Sequence, residues 1–406
     1  MKKQMIILIY LILPLLSFAQ HGIVKMTTPC TQEYTQNTHG RWLDGGAGLD
    51  PNLKISKQQQ QEIFNSVNKI HQIVFDIYRS PLGFDAVHSW HTSDGQFAYQ
   101  VKLEHLANGN TTESRINGVP VIFYWYEAAF GRYSCVYNDK YKMLPGLPSE
   151  DVESFFVYAN ELTFLAGEIP LNIDGRKIQM MPAVKGTWKG YTLYYIPYQG
   201  TGKTHVLLHR DGMLPYNPVT RKKYLDLAIP YITKFYDDQI ADLDKTPVRS
   251  IEEQEAIKNK TIEDYKKKYP GNPGPLKYYL DTYTTDQQEL EKKKNIILKS
   301  KNEDLKRYQD ELERTTRNGM LESPAIIAGG IEMMSERPVF TTDEQGGNML
   351  ITESPNYFRK DLPKWVPQLF VLTFEEEGWS AKQKNDALNV VKENFPIQKL
   401  QAMIDK

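Results

Sequence analysis

The chain's 406 residues are 40% apolar and 24% charged, enough for two or three globular domains and unlike a disordered polypeptide. A formal net charge of −1 at pH 7 leaves no electrostatic basis for binding nucleic acid. Tyrosine is abundant at 25 residues, so many must fill half-buried strand positions or form an aromatic contact surface.

The opening stretch, "MKKQMIILIYLILPLLSFAQ", joins Lys2 and Lys3 to an apolar run from Met5 to Leu16 and then to the small-residue pattern Ser17-Phe18-Ala19. This is the layout of a secretory signal peptide over 1–19, with a mature chain from Gln20. A membrane span needs about 20 apolar residues, and this run is shorter and carries Pro14. An uncleaved anchor is the competing reading. No second apolar stretch of spanning length follows, so the expected location is secreted or periplasmic, with no transmembrane span after signal removal. Cys30 and Cys135 are the only cysteines, which allows one intramolecular disulfide. Closing a loop of about 100 residues, it would contribute up to about 4.7 kcal/mol in the chain-entropy account. A buried free Cys135 would look the same in sequence.

Ser56 and Gln59 form a capping-box pattern ahead of Ile63, Val67, Ile70, Val74 and Ile77, one apolar helical stripe that Pro81 closes. The runs "QFAYQVKL", "VPVIFYWYEA" and "RYSCVYN" then read as strands. Met143-Leu144-Pro145-x-x-Pro148 recurs as Met213-Leu214-Pro215-x-x-Pro218, which suggests a duplicated helix-plus-strands unit. In the second copy, "SEDVESFFVYANELTFLAGE" is expected as the leading helix and "GRKIQMMPAV" as the first strand, after a tight turn at Asp174-Gly175.

Gly202-Lys203-Thr204 resembles the end of a nucleotide-phosphate loop, but Pro197 stands five residues earlier, where a backbone N–H is required. The flanking "YTLYYI" and "THVLLHR" read as a hairpin instead. A helix follows from Thr220, with Pro230 expected to kink or split it. Ser250 and Glu253 cap another helix, and "PGNPGP" breaks it. From Thr285 to Arg317 runs a long helix with nine basic and eight acidic residues. Leu290, Ile297, Leu305, Tyr308 and Leu312 form a narrow apolar seam that Lys301 interrupts. The spacing suits a solvated helix lying on the protein body better than a coiled-coil dimer. "NMLITES" and "PQLFVLTFEEE" read as strands, followed by helices from Ser380 and near Pro396.

The expected architecture is therefore α+β: tandem helix-plus-antiparallel-sheet units at 20–148 and 149–245, a charged helical segment at 246–320, and a small C-terminal α+β part at 321–406. For chemistry, His88-x-x-His91 with Asp94 is the best metal candidate, although Ser93-Asp94-Gly95 signals a turn. His205 and His209 share a strand face but stand about 13 Å apart, too far for one ion. Glu375, Glu376 and Glu377 offer a carboxylate for acid–base work without an evident partner. No serine-hydrolase elbow, HExxH or Cys-x-x-Cys is present, and no cofactor is implied. These features suit an exported, bacterial-type binding or scaffolding protein of the cell envelope, with a glycan or an envelope protein as partner. Its expected contact residues are Tyr124, Trp125, Tyr126, Tyr194 and Tyr195 in the two most aromatic runs. The alternative is a secreted hydrolase using carboxylates or the His88/His91 pair.

Overall fold

The computed structural model describes residues 24–25, 37–51, 53, 55–93, 102–105, 112–116, 118–136, 142–145, 152–162, 164–198, 201–328, 339–376 and 386–406. Cys30, Asp94 and the whole 1–19 segment lie outside these residues, so the disulfide, the metal trio and the signal peptide remain sequence expectations.

In chain order the elements begin with β1 (Val24–Lys25), β2 (Trp42–Gly48), α1 (Lys57–Ile77), β3 (Phe84–Ser93), β4 (Lys102–His105), β5 (Thr112–Ile116) and β6 (Val119–Pro120). Then come β7 (Phe123–Val136), β8 (Lys142–Pro145), β9 (Val152–Ala159), β10 (Gly167–Ile173), β11 (Arg176–Met180) and β12 (Ala183–Trp188). β13 (Tyr191–Tyr198), β14 (Thr201–Leu208) and β15 (Tyr216–Pro218) precede the helices α2 (Arg221–Asp244), α3 (Ile251–Lys268), α4 (Gly274–Thr282) and α5 (Asp286–Arg317). The chain ends with β16 (Ile326–Ile327), β17 (Asn348–Glu353), β18 (Phe370–Glu376), α6 (Asp386–Asn394) and α7 (Ile397–Gln401). Helices and sheets occur side by side throughout, and the fold is α+β.

Contacts divide the chain into two units, residues 1–218 with 342–406 and residues 219–341. In the first unit a large sheet runs β2-β3-β7-β9-β18-β14-β13-β12. β2 lies parallel to β3, and the other neighbours are antiparallel. The far end of β7 pairs with β8, which pairs with β1. A second antiparallel sheet runs β10-β11-β17-β15.

Helix α1 begins as its sequence dictates, with the reciprocal Ser56–Gln59 capping box formed. Its buried stripe of Ile63, Val67, Ile70, Ile73 and Val74 packs on one face of the large sheet, and so do Leu388, Val391 and Phe395 around α6 and Leu400 of α7. Tyr124, Tyr126, Phe130, Phe155, Val157 and Phe374 fill that interface from the strands. A second apolar cluster on the other face gathers Phe123, Tyr194, Leu207 and Val371 with Met181, Ile351 and Tyr357.

One helix expected from sequence is a strand. Residues 152–159 form β9, paired along both sides, and Gly167 opens β10. "VESFFVYA" satisfies both periods over a short apolar run, and burial decides between them. On a strand, Phe155, Val157 and Ala159 enter the core together. The segment 149–218 therefore lacks its expected leading helix, and its strands are shared between the two sheets. Met143-Leu144-Pro145 lies in strand β8, whereas Met213-Leu214-Pro215 lies between β14 and β15, so the two Met-Leu-Pro segments do not occupy the same place in a repeated unit. The hairpin of β13 and β14 forms as expected, but Gly202-Lys203-Thr204, read from the sequence as its turn, lies inside β14 with Gly202 opposite Pro197. Asp174 and Gly175 both take positive φ (51° and 77°), which gives β10 and β11 the tight turn their sequence suggested.

In the second unit α2 runs from 221 to 244 without interruption, so Pro230 does not split it. It packs antiparallel to α5: Tyr224 meets Tyr308 hydroxyl to hydroxyl at 3.1 Å, and Tyr236 donates to Asp304 at 2.5 Å. Further along, Asp237 pairs with Lys301 at 2.5 Å, and Asp244 with Lys294. Lys301, the interruption in the apolar seam, is thus the partner of an α2 carboxylate. The start of α5 is fixed by its own Thr285–Gln288 capping box and by Gln254, whose side-chain oxygen accepts from Asp286 N–H at 2.8 Å. Among the described residues no helix is long and apolar enough to cross a membrane.

Candidate functional site

The register of the large sheet fixes which side chains share a face. Ser89, Glu127, Phe156, Thr373, His205 and Tyr194 form one row across β3, β7, β9, β18, β14 and β13. Because side chains alternate along a strand, Trp125 and His91 point the same way as Glu127, whereas Tyr124, Tyr126 and His88 point to the other side. The five expected contact residues are therefore not one surface. Tyr124 and Tyr126 are wholly buried against α1, where Tyr124 meets Ser66 Oγ at 2.9 Å and Tyr126 meets His71 Nδ1 at 3.2 Å. Tyr194 is buried in the opposite cluster, its hydroxyl 3.3 Å from that of Tyr216. Tyr195 is half-buried and lies across Gly202, where a Cβ would stand 2.3 Å from its ring, while Lys185 sits 4.8 Å from the ring centroid. Trp125 is half-buried on the face opposite to Tyr195.

The same alternation separates His88 from His91. Three residues apart on a strand, they face opposite ways, whereas a helix would have brought them together. His88 stacks on His71, with ring centroids 3.9 Å apart, in a bed that includes Trp42. Burial lowers the pKa of both, His71 to about 4, and each imidazole's charge would further oppose the other's. His91 stacks on Trp125, centroids 5.0 Å apart, and burial lowers its pKa as well. Among the described residues no group of three or more His, Cys, Asp or Glu side chains could hold a metal ion. His205 is buried against Thr373 Oγ1 at 2.9 Å and is held down to about 3, chiefly by desolvation. The ring of His209 bonds the Arg210 carbonyl at 2.9 Å.

What the register does assemble is a continuous aromatic ladder on the Trp125 face. His91 stacks on Trp125, Trp125 lies 6.0 Å from Tyr158, and Tyr158 stacks on Phe156 at 5.7 Å. All four rings are half-buried and so keep part of their surface open. Beside them stands Glu127, largely enclosed, with Ser89 Oγ 3.4 Å and Ser154 Oγ 3.3 Å from its carboxylate oxygens. Desolvation raises its pKa, the two serine hydroxyls oppose the rise, and the charge of Glu375 adds to it. Glu375 is ion-paired with Lys203 at 2.6 Å. Sequence reading found Trp125, His91 and Glu375 but missed Glu127, Phe156 and Tyr158. The signal for the last two lay in the alternation of "SFFVY", which a helical reading of that segment concealed.

Elsewhere in the first unit, a cavity of about 10 Å³ is lined by Ile116, Phe123, Asn160, Leu162, Pro215, Glu353, Phe358 and Leu369. It has room for about one water and no larger ligand. Burial pushes Glu353 up to about 7. Asn160, at a φ of 66°, donates to the Ile122 and Val366 carbonyls and accepts from Gln368 N–H at 2.7 Å, so this polar patch joins strand ends.

The geometry stands without an analogue to lean on. No protein-family model, curated protein or solved structure matches the chain. The reading of the site rests on the ladder and its carboxylates alone.

Proposed function

We propose that this is an exported binding or scaffolding protein of a bacterial cell envelope, and that its contact surface is the sheet face carrying Trp125. The export half of the reading rests on the charged, apolar and small-residue sequence of residues 1–19. The binding half rests on one observation: four half-exposed rings, His91, Trp125, Tyr158 and Phe156, line up across three strands beside polar side chains. Broad rings with adjacent hydrogen-bonding groups suit the flat, hydroxyl-edged rings of a glycan. All four rings sit on paired neighbouring strands, which hold their spacing without a ligand and lower the ordering cost of binding.

The deciding measurement is a thermal-shift screen of the purified protein against glycans and metal ions. A ligand of the native state at a hundred times its Kd adds about 2.7 kcal/mol to stability. A glycan that raises the wild-type melting temperature but leaves Trp125→Ala unmoved supports the reading. A glycan response that survives in Trp125→Ala assigns binding to another surface.

One observation favours a hydrolase as the second reading. Glu127 and Glu375 share the face in contrasting environments, one desolvated and the other ion-paired with Lys203. Such a division suits an acid and a base in glycoside hydrolysis. Turnover of a glycan by wild type and its loss in Glu127→Gln would make the protein an enzyme.

A further inference from the structure

We propose that Glu127 and the rings of Trp125, Phe156 and Tyr158 form a site for an organic ammonium group, such as the free amine of an amino sugar. This rests on the glycan reading above and narrows it to a charge class. Glu127 is largely enclosed on a sheet face where aromatic residues are its neighbours along and across the strands. Phe156 stands directly across from it on β9, and Trp125 is two residues away on the same strand and face. Tyr158 carries the aromatic surface onward from both.

Its hydrogen-bond partners there are the neutral hydroxyls of Ser89 and Ser154, at 3.4 and 3.3 Å. Lys203, the cation that acts on it, is already bound to Glu375 at 2.6 Å. A carboxylate in such a place gains most from a ligand that brings its own positive charge. Aromatic faces reinforce that choice, because the ring quadrupole attracts an ammonium and offers nothing comparable to a carboxylate or phosphate. Glu127 and Glu375 together make the face hostile to anions.

The site also couples binding to a proton. Burial favours the protonated form of Glu127, and an arriving cation favours the carboxylate, so in acid, where the carboxyl still holds its proton, uptake of the ammonium expels it. The other titratable groups on the face include Asp85 and His91 on β3, Tyr158 on β9, Glu375 on β18, Lys203 and His205 on β14, and Tyr194 on β13. His91 is held neutral by burial and adds no competing charge near neutral pH.

The test is isothermal titration of the full-length protein with three probes: a glucosamine oligomer, its fully N-acetylated counterpart, and choline. The two oligomers share a backbone and differ in the ammonium. Wild type is expected to bind the free-amine oligomer about tenfold or more tightly than the acetylated one, a modest demand on a charge-assisted, ring-flanked contact. Proton release should appear as a buffer-dependent heat when the titration is repeated in mild acid. Glu127→Gln, nearly isosteric, should erase both the preference and the buffer dependence while leaving the far-ultraviolet spectrum unchanged. Equal or tighter binding of the acetylated oligomer overturns the ammonium site and leaves the glycan reading standing. Binding of choline alone does the reverse, removing the glycan and keeping the ammonium. Binding of none of the three, or a preference that survives Glu127→Gln, overturns the proposal.

Discussion

The two faces of β7 differ sharply in how they are covered. On one side Tyr124, Tyr126, Ala128 and Phe130 lie under α1 in a sealed apolar interface. Even its hydroxyls are answered, by Ser66 and His71. On the other side, one residue out of phase, Trp125 and Glu127 meet His91, Ser89, Ser154 and Tyr158, and the rings of Trp125, His91 and Tyr158 keep part of their surface open. The same tyrosine- and tryptophan-rich run thus builds the α1-facing core with its even positions and a partly open aromatic face around Trp125 with its odd ones. Aromatic content alone says nothing about which role a ring takes. The covering elements decide it.

The comparison can be broken by truncating rings on each side. The largest effect is expected from Phe155→Ala on the sealed face, where the ring lies 5.1 Å from Phe374 and 5.3 Å from Phe395. A buried Phe-to-Ala change there should cost about 3–5 kcal/mol in denaturant unfolding. Trp125→Ala, on the open face, should cost less than about 1.5 kcal/mol. Equal losses would mean that Trp125 is packed as fully as Phe155.

Acid should weaken the sealed face next. His71 and His88 are neutral in the folded protein, with His71 lowered from 6.5 to about 4 and His88 shifted the same way. The unfolded chain therefore takes up protons first, and stability is lost as pH falls from about 6.5 toward 4. Asp44 on β2 opposes the loss, since its charge favours the protonated rings. A melting temperature that falls through this window, with a shallower slope in His71→Gln, would bear out the neutral stacked pair.

The smallest effect belongs to Glu127 and has the opposite pH sense. Its raised pKa means the folded state holds its proton longer than the unfolded one, so its contribution declines as pH rises above about 4.5. Glu127→Gln should therefore unfold at a slightly higher temperature than wild type at pH 8. The gap should close on acidification, as the wild-type carboxyl becomes neutral. A Glu127→Gln protein less stable than wild type at pH 8 would mean that the carboxylate has a partner worth more than its desolvation.

Much of the fold was legible in one dimension. Helix α1, with its Ser56–Gln59 box and apolar stripe, forms as read, because capping and periodicity are local. The same holds for α5 and for the hairpin that absorbs Gly202-Lys203-Thr204 into a strand. Sequence alone also supplies the reason to expect export. β9 was illegible, because eight residues are too few for period to separate a strand from a helix when both sides are apolar. Only pairing with β7 on one side and β18 on the other settles that, and β18 arrives from more than two hundred residues away. The candidate site depends on the same long-range event. Trp125 and His91 were visible as residues, but their meeting with Tyr158 and the enclosure of Glu127 follow from strand register. Register comes from the non-local match of apolar faces, and no window along the chain contains it.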